Sequence, residues 1–230
     1  MKKSLLLLFF CLVIWAVKAQ SIDVAAEFAD ATVVYVSYAN GTDATGRGNF
    51  SAPYKTIRYA LQQATGKTWI KVSSGTQTEN ATVDLKSNVL IEGGYTYNST
   101  EDWPHSSSTT SITVNASASS DLTSNNVPVR AKIGFRSTSG ITGWVLKDLN
   151  ISVPAATTSE RVTTSGSYAG SGATVYGIYI AGSNYSNPQS SIINCNIAPG
   201  AGGSGANGSA GSNGSNGSDT KFYPCSSTAT

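Results

Sequence analysis

Beyond Trp69 the chain alternates apolar and polar residues in short runs, and just before it the apolar positions repeat at helical spacing. Ile57, Ala60, Leu61 and Ala64 fall at i, i+3, i+4 and i+7, which predicts one apolar stripe on a helix that ends near Gly66. Before that helix, Val33–Ser37 alternates like a strand, and Asn40-Gly41-Thr42-Asp43 with Gly46, Gly48 and Asn49 predicts a surface loop left at Pro53. After it, the period of two predicts strands at Trp69–Val72, Ala81–Leu85, Val89–Ile91, Ser111–Val114, Lys132–Phe135, Trp144–Leu146, Leu149–Val153, Val175–Ile180 and Ile192–Ile197. No helix-length apolar pattern separates these strands, which excludes a doubly wound α/β fold and leaves a solenoid or a β-sandwich.

The order VVYVS, NGTDATGRGNFSAPYKT, IRYALQQA, WIKVSSGT and IEGGY carries more than composition does. It resembles the leader of secreted right-handed parallel β-helix proteins of the pectin-lyase-like superfamily, bacterial surface type, in which a helix plugs the mouth of the coil. VLKDLNISV and SIINCNIAPG look like rungs of such a coil, with an Asn or Cys at a bend, and GATVYGIYIAGS looks like the strand that opens one. The resemblance implies an all-β right-handed parallel β-helix over residues 32–198 with a short N-terminal capping helix. The β-sandwich stays open as the alternative.

The N-terminus changes the charge picture. Lys2 and Lys3, the apolar run Leu5–Trp15 and the small residues before Gln20 read as a secretory signal over residues 1–19, too short to span a bilayer; a retained N-terminal anchor is the alternative. Residues 20–31 show weak helical spacing and read as a loosely attached lead-in. Without Lys2, Lys3 and Lys18 the 15 basic residues become 12 against 13 acidic ones, net −1, so the formal +2 belongs to the signal. No basic patch for nucleic acid remains, and no membrane span is expected after signal removal. The expected location is extracellular or on the outer cell surface.

From Gly202 to Gly217 glycine recurs at every third place without proline, so residues 199–219 read as a polar Gly/Ser/Asn-rich loop rather than a collagen helix. Residues 220–230 read as the start of a further coil in a longer protein. Cys195 and Cys225, the cysteines outside the signal, form a disulfide candidate that loop-closure entropy would favour by roughly 3–4 kcal/mol. A buried Cys195 with an unrelated Cys225 fits equally. Ten Asn-x-Ser/Thr sites are glycosylation acceptors in a eukaryotic secretory pathway and a by-product of composition in a bacterium, the source the resemblance favours.

Candidate chemistry is thin. Resemblance to polysaccharide lyases implies clustered acids for Ca²⁺ with an Arg or Lys base, yet only Glu101 and Asp102 are adjacent in sequence, so calcium is unsupported and no cofactor or metal ligand set is assigned. Glu92 and Asp148, on neighbouring rungs, could face each other across a sugar as a glycosidase requires; isolated solvated carboxylates at turns are the alternative. His105 has no second His or Cys nearby in sequence, which disfavours zinc and leaves the serines without a catalytic base. Asp43 reads as a turn-stabilising side chain. Among the aromatic residues Trp69 and Trp144 read as core, and Tyr97 and Trp103, in the polar stretch YTYNSTEDW, as the exposed candidates for stacking on sugar rings. The sequence therefore leads to a non-catalytic structural, adhesin-like or carbohydrate-binding module whose partner is a polysaccharide or cell-surface glycan. The alternative is a polysaccharide lyase or glycoside hydrolase whose catalytic coils lie beyond residue 230.

Overall fold

The structure, a computed structural model, describes residues 24–124, 127–161, 171–181 and 190–206. Two helices, α1 (Val24–Glu27) and α2 (Ile57–Gln63), accompany thirteen strands among the described residues. In chain order the strands are β1 (Thr32–Val36), β2 (Thr68–Ser73), β3 (Gly75–Glu79), β4 (Val83–Asp84), β5 (Val89–Tyr95), β6 (Thr110–Val114), β7 (Ser119–Ser124), β8 (Val127–Ser137), β9 (Val145–Lys147), β10 (Leu149–Val153), β11 (Thr174–Ile180), β12 (Ser191–Ile193) and β13 (Asn196–Pro199).

They form three open sheets, in the orders β1-β2-β5-β9-β12, β13-β10-β6-β3 and β11-β8-β4. Every pairing within these orders is parallel, and the one antiparallel pair joins β7 to β8. Parallel partners cannot be neighbours in sequence, because a crossover must carry the chain back before it can pair. Here the crossover is made of strands: from β2 onward the chain visits the first, second and third sheets in turn and then begins again. This pairing rules out two face-packed antiparallel sheets.

One apolar core serves all three sheets. Ile70, Ile91 and Leu146 contribute from the first sheet, Ile112 and Ile151 from the second, and Val83 and Phe135 from the third. Ile70 is in register with Ile91, Ile91 with Leu146, and Ile112 with Ile151, so like residues stack on like from strand to strand. Ile57, Ala60 and Leu61 of α2 close one end of this core, as the helical stripe requires. The helix is started by Thr56, whose Oγ1 accepts a hydrogen bond from Tyr59 N at 3.1 Å. Asp43 ties the preceding loop to this start: its carboxylate accepts from Lys55 N at 2.8 Å, Thr56 N at 3.0 Å and Thr56 Oγ1 at 2.7 Å. Thr56→Ala removes both the cap and one of these bonds, and should lower unfolding free energy by about 1 kcal/mol in a chemical melt.

Polar side chains replace the apolar stack where the core meets this cap. In the register column that continues as Ile112 and Ile151, β3 supplies Gln77, which is buried; its Oε1 accepts from Tyr38 N at 2.7 Å and its Nε2 donates to Ser73 O at 3.1 Å. Two residues on, Glu79 is 1% exposed and accepts the amide of Ile57 at 2.5 Å.

Three expectations need correction. Residues 24–31 are docked rather than loose, because Val24 and Phe28 bury against Leu90 and Val145. Ile192–Ile197 is two strands, since Asn194 adopts φ +48° and turns the chain between β12 and β13. Strand β3 has no apolar alternation to mark it in the sequence, because its inward positions are Gln77 and Glu79. Most of the Gly-rich segment and Cys225 lie outside the described residues.

Candidate functional site

Because side chains alternate along a strand, the residues next to Ile70, Ile91 and Leu146 point away from the core. On the first sheet these outward residues form one register column, Tyr35, Lys71, Glu92 and Lys147, so cation, anion and cation follow one another across adjacent strands. Opposite charges directly across a sheet attract at close range. Two flanking pieces bury the column: Phe28 with Val24 on one side, and on the other the loop between β5 and β6, whose Trp103 packs on Tyr35 and Tyr95.

Lys71 is 7% exposed and sits within 5.2 Å of the Trp69 and Tyr95 ring centres and 5.6 Å of that of Tyr35. Its ammonium donates at 2.8 Å to both oxygens of Asp102, which also accepts from Tyr35 Oη at 2.8 Å. Burial works against the Asp102 carboxylate, but Lys71 and Tyr35 outweigh it and hold its pKa below the ordinary value. The Tyr35 phenol is pushed up by burial and by Asp102, so it stays a donor.

The neighbouring cluster is denser. Glu92, 3% exposed, accepts at Oε2 from Trp69 Nε1 at 2.9 Å and Tyr95 Oη at 2.6 Å, and its Oε1 takes the Lys147 ammonium. Asp148 lies at the corner between β9 and β10 with φ +56°, a conformation that Asp and Asn tolerate better than other side chains. Its Oδ1 accepts from Asn194 Nδ2, the residue at the equivalent corner of the next strand pair, and its Oδ2 lies 3.5 Å from Lys147 Nζ. His105 Nε2 stands 3.4 Å from Asp148 Oδ2 and 3.9 Å from Glu92 Oε1. Burial lowers the tendency of Lys147 to stay charged, but the two carboxylates outweigh it and raise its pKa above the ordinary value. Burial and Glu92 push the Tyr95 phenol up as well, which keeps its proton on the oxygen that donates.

Local sequence explains how these groups meet. The pair Gly93-Gly94 in IEGGY is required by close approach: a Cβ on Gly93 would lie 2.4 Å from Asp148 O, and one on Gly94 would lie 3.0 Å from His105 Nε2 at a backbone φ of +83°. The β5–β6 loop is pinned back onto this corner by Ser106, whose amide and hydroxyl donate to Gly94 O at 2.7 and 2.9 Å. The His105 ring then stands edge-on to Tyr95, 5.0 Å between centres.

Of the residues singled out from sequence, Glu92 and Asp148 are brought together, with their nearest carboxylate oxygens and His105 nitrogen all within 4.8 Å of one another. Trp103 is not an exposed platform. It is 2% exposed, donates its Nε1–H to Phe50 O at 3.0 Å and Asn98 O at 2.8 Å, and acts as the anchor that folds its loop onto the sheet. Tyr97 is half-buried against it, edge-on at 5.5 Å. Trp144 lies in the core as expected, whereas Trp69 faces outward over the charged column. Cys195 is a half-buried thiol that donates to Ile193 O at 3.2 Å; the disulfide candidate depends on Cys225, which is not described. Lys71 and Lys147 carry no signal of their own in the sequence, and His105 reads there as isolated, because sequence distance hides contact: residues 71, 92 and 147 become neighbours only when their strands pair, and His105 only when its loop folds back onto Gly94.

No family model, curated protein or solved structure matches this chain. No helix among the described residues is long and apolar enough to cross a membrane.

Proposed function

We propose that the chain is a right-handed parallel β-helix carried on the cell surface or secreted, and that it serves as a stiff, non-catalytic module that meets a polysaccharide or glycan. The observation that carries this reading is the cyclic order in which the strands enter three parallel sheets around one shared core. A coil of that kind resists bending because each turn is bonded to the next along its whole contour, and its outer faces are free to vary.

The charge pattern supports a non-catalytic role. A sugar-cleaving pair needs two carboxylates exposed across a cleft. Glu92 is instead enclosed, and both it and Asp148 contact the same Lys147 ammonium. With Trp103 buried, the surface suited to a glycan is the outer face of the second sheet, where Thr76, Ser111, Asn150 and Asn196 stand in one register column and Thr78, Thr113, Ser152 and Ala198 in the next. Hydroxyls and amides repeated at the inter-strand spacing of about 4.8 Å offer a row of hydrogen-bonding groups to an extended chain.

Incubating the full chain with a panel of insoluble plant, algal and host polysaccharides tests this directly. Retention on at least one of them, with no new reducing ends and no unsaturated products, is the expected result. Ser111→Lys with Asn196→Lys should abolish retention while the melting curve changes little, since both side chains point outward and lie two strands apart, so the new charges do not face each other directly. The proximity of Glu92 to Asp148 favours a second reading, a polysaccharide-degrading enzyme. Product formation that Glu92→Gln abolishes would establish it and overturn the first.

A further inference from the structure

We infer that Glu92, His105 and Asp148 form a binding site for a divalent transition cation of the zinc type, with Lys147 as the built-in competitor for the same two carboxylate oxygens. This goes beyond the role of the module, and holds whatever glycan the outer face meets.

Three features carry it. The first is the donor set. The chain has a single histidine, and the fold delivers its Nε2 to two carboxylates, Glu92 on β5 and Asp148 at the corner between β9 and β10. One imidazole nitrogen with two carboxylate oxygens suits zinc and its neighbours, whereas calcium requires six to eight oxygens. The second is spacing. Ligands bound at about 2.0–2.2 Å around a tetrahedral ion stand roughly 3.3–3.5 Å from one another. His105 Nε2 is already 3.4 Å from Asp148 Oδ2 and 3.9 Å from Glu92 Oε1. Small side-chain rotations close the remaining gap.

The third is the surrounding support. In each carboxylate one oxygen is held by a donor outside the cluster and the other faces the common point. Trp69 and Tyr95 hold Glu92 Oε2, and Asn194 holds Asp148 Oδ1, which leaves Glu92 Oε1 and Asp148 Oδ2 facing His105. Outer partners of this kind fix the orientation of metal ligands. The imidazole is fixed too, between the Tyr95 ring and the close backbone of Gly94.

Lys147 now supplies the positive charge that these oxygens need. Its side chain is 29% exposed, and that of His105 is 43% exposed, so the ammonium has a route out to solvent and an ion a route in. A divalent ion between two carboxylates leaves the cluster neutral, so the exchange strands no buried charge. The arrangement distinguishes a metal site from a salt-bridged clasp: removing the lysine destroys a clasp and strengthens a metal site.

The test is a Zn²⁺ titration of the chelator-treated full chain against a chromophoric chelator, with Ca²⁺ as control. One equivalent of Zn²⁺ should bind the native chain and raise its melting temperature. Lys147→Met should bind Zn²⁺ about tenfold more tightly or better, and His105→Gln about 10- to 100-fold more weakly, with the thermal shift lost. Circular dichroism confirms that each variant folds, and Lys147→Gln replaces the methionine variant should that one fail. Equal affinity in native chain and Lys147 variants, equal affinity in His105→Gln, or Ca²⁺ binding as strong as Zn²⁺ would each overturn the site and leave a clasp only.

Discussion

Replacing Glu92 by alanine should lower the unfolding free energy by about 3–5 kcal/mol, read as a large drop in the urea midpoint with the slope unchanged. The side chain is 3% exposed and answers the Trp69 indole, the Tyr95 hydroxyl and the Lys147 ammonium at once. Alanine leaves the buried Tyr95 hydroxyl and the half-buried Trp69 indole without an acceptor and a cation with only Asp148 for company, and each unmet group carries its own desolvation cost. Glu92→Gln should fall well short of that loss, because its amide oxygen still accepts from Trp69 or Tyr95. Adding Lys147→Met to Glu92→Ala should recover part of the loss, since the unpaired ammonium then disappears with its partner. A loss below about 1 kcal/mol for Glu92→Ala would show that the column is solvated and that the β5–β6 loop does not cover it.

Raising the pH from 5 to 8 should weaken the fold by up to roughly 3 kcal/mol through a single residue, Glu79. Burial pushes its carboxyl up to about 7, against the pull of the Ile57 and Arg58 amides at the start of α2. Its Oε2 has no hydrogen-bond partner. The unfolded chain releases the Glu79 proton near the ordinary value of 4.5, while the folded chain keeps it until about 7. Between those limits the native state holds more protons than the unfolded one, so stability declines as pH rises and levels off above them. Asp30, Asp102 and Glu160, whose carboxyls are held below their ordinary values, act in the opposite sense and at lower pH, where their stabilisation is lost as they protonate. Glu79→Gln keeps the acceptor for Ile57 without the charge. It should match the native chain at pH 5, exceed it at pH 8, and flatten the slope between. A native melting temperature that rises steadily from pH 5 to 8, or an unchanged slope in Glu79→Gln, would show that the carboxylate is stabilised where it lies.

The legible parts of this fold are those where local chemistry and tertiary role coincide. The α2 stripe, the Asp43 loop and the alternation in Leu149–Val153 each follow from spacing that a neighbour of the right hydrophobicity rewards. Strand β3 escaped because the end of the core needs polar side chains to receive the cap, and Gln77 and Glu79 break the alternation that marks a strand. Trp103 reads as exposed from the sequence for the converse reason. Its polar neighbours Asn98, Glu101 and Asp102 mark a solvent-facing loop, yet the indole is what holds that loop down. The cluster itself was half visible. Glu92 and Asp148 could be paired from the look of the rungs, but Lys71, Lys147 and His105 join them only through strand register and through two glycines that let the backbones approach.

The central claim is that strands far apart in sequence pair in parallel around one core. Interstrand nuclear Overhauser contacts in an isotope-labelled sample test it most directly, at Ile91 against Leu146 and at Ile112 against Ile151. Amide-to-Hα contacts of the parallel type at both places are the predicted result. Close Hα-to-Hα contacts between these residues, the mark of antiparallel pairing, would contradict it.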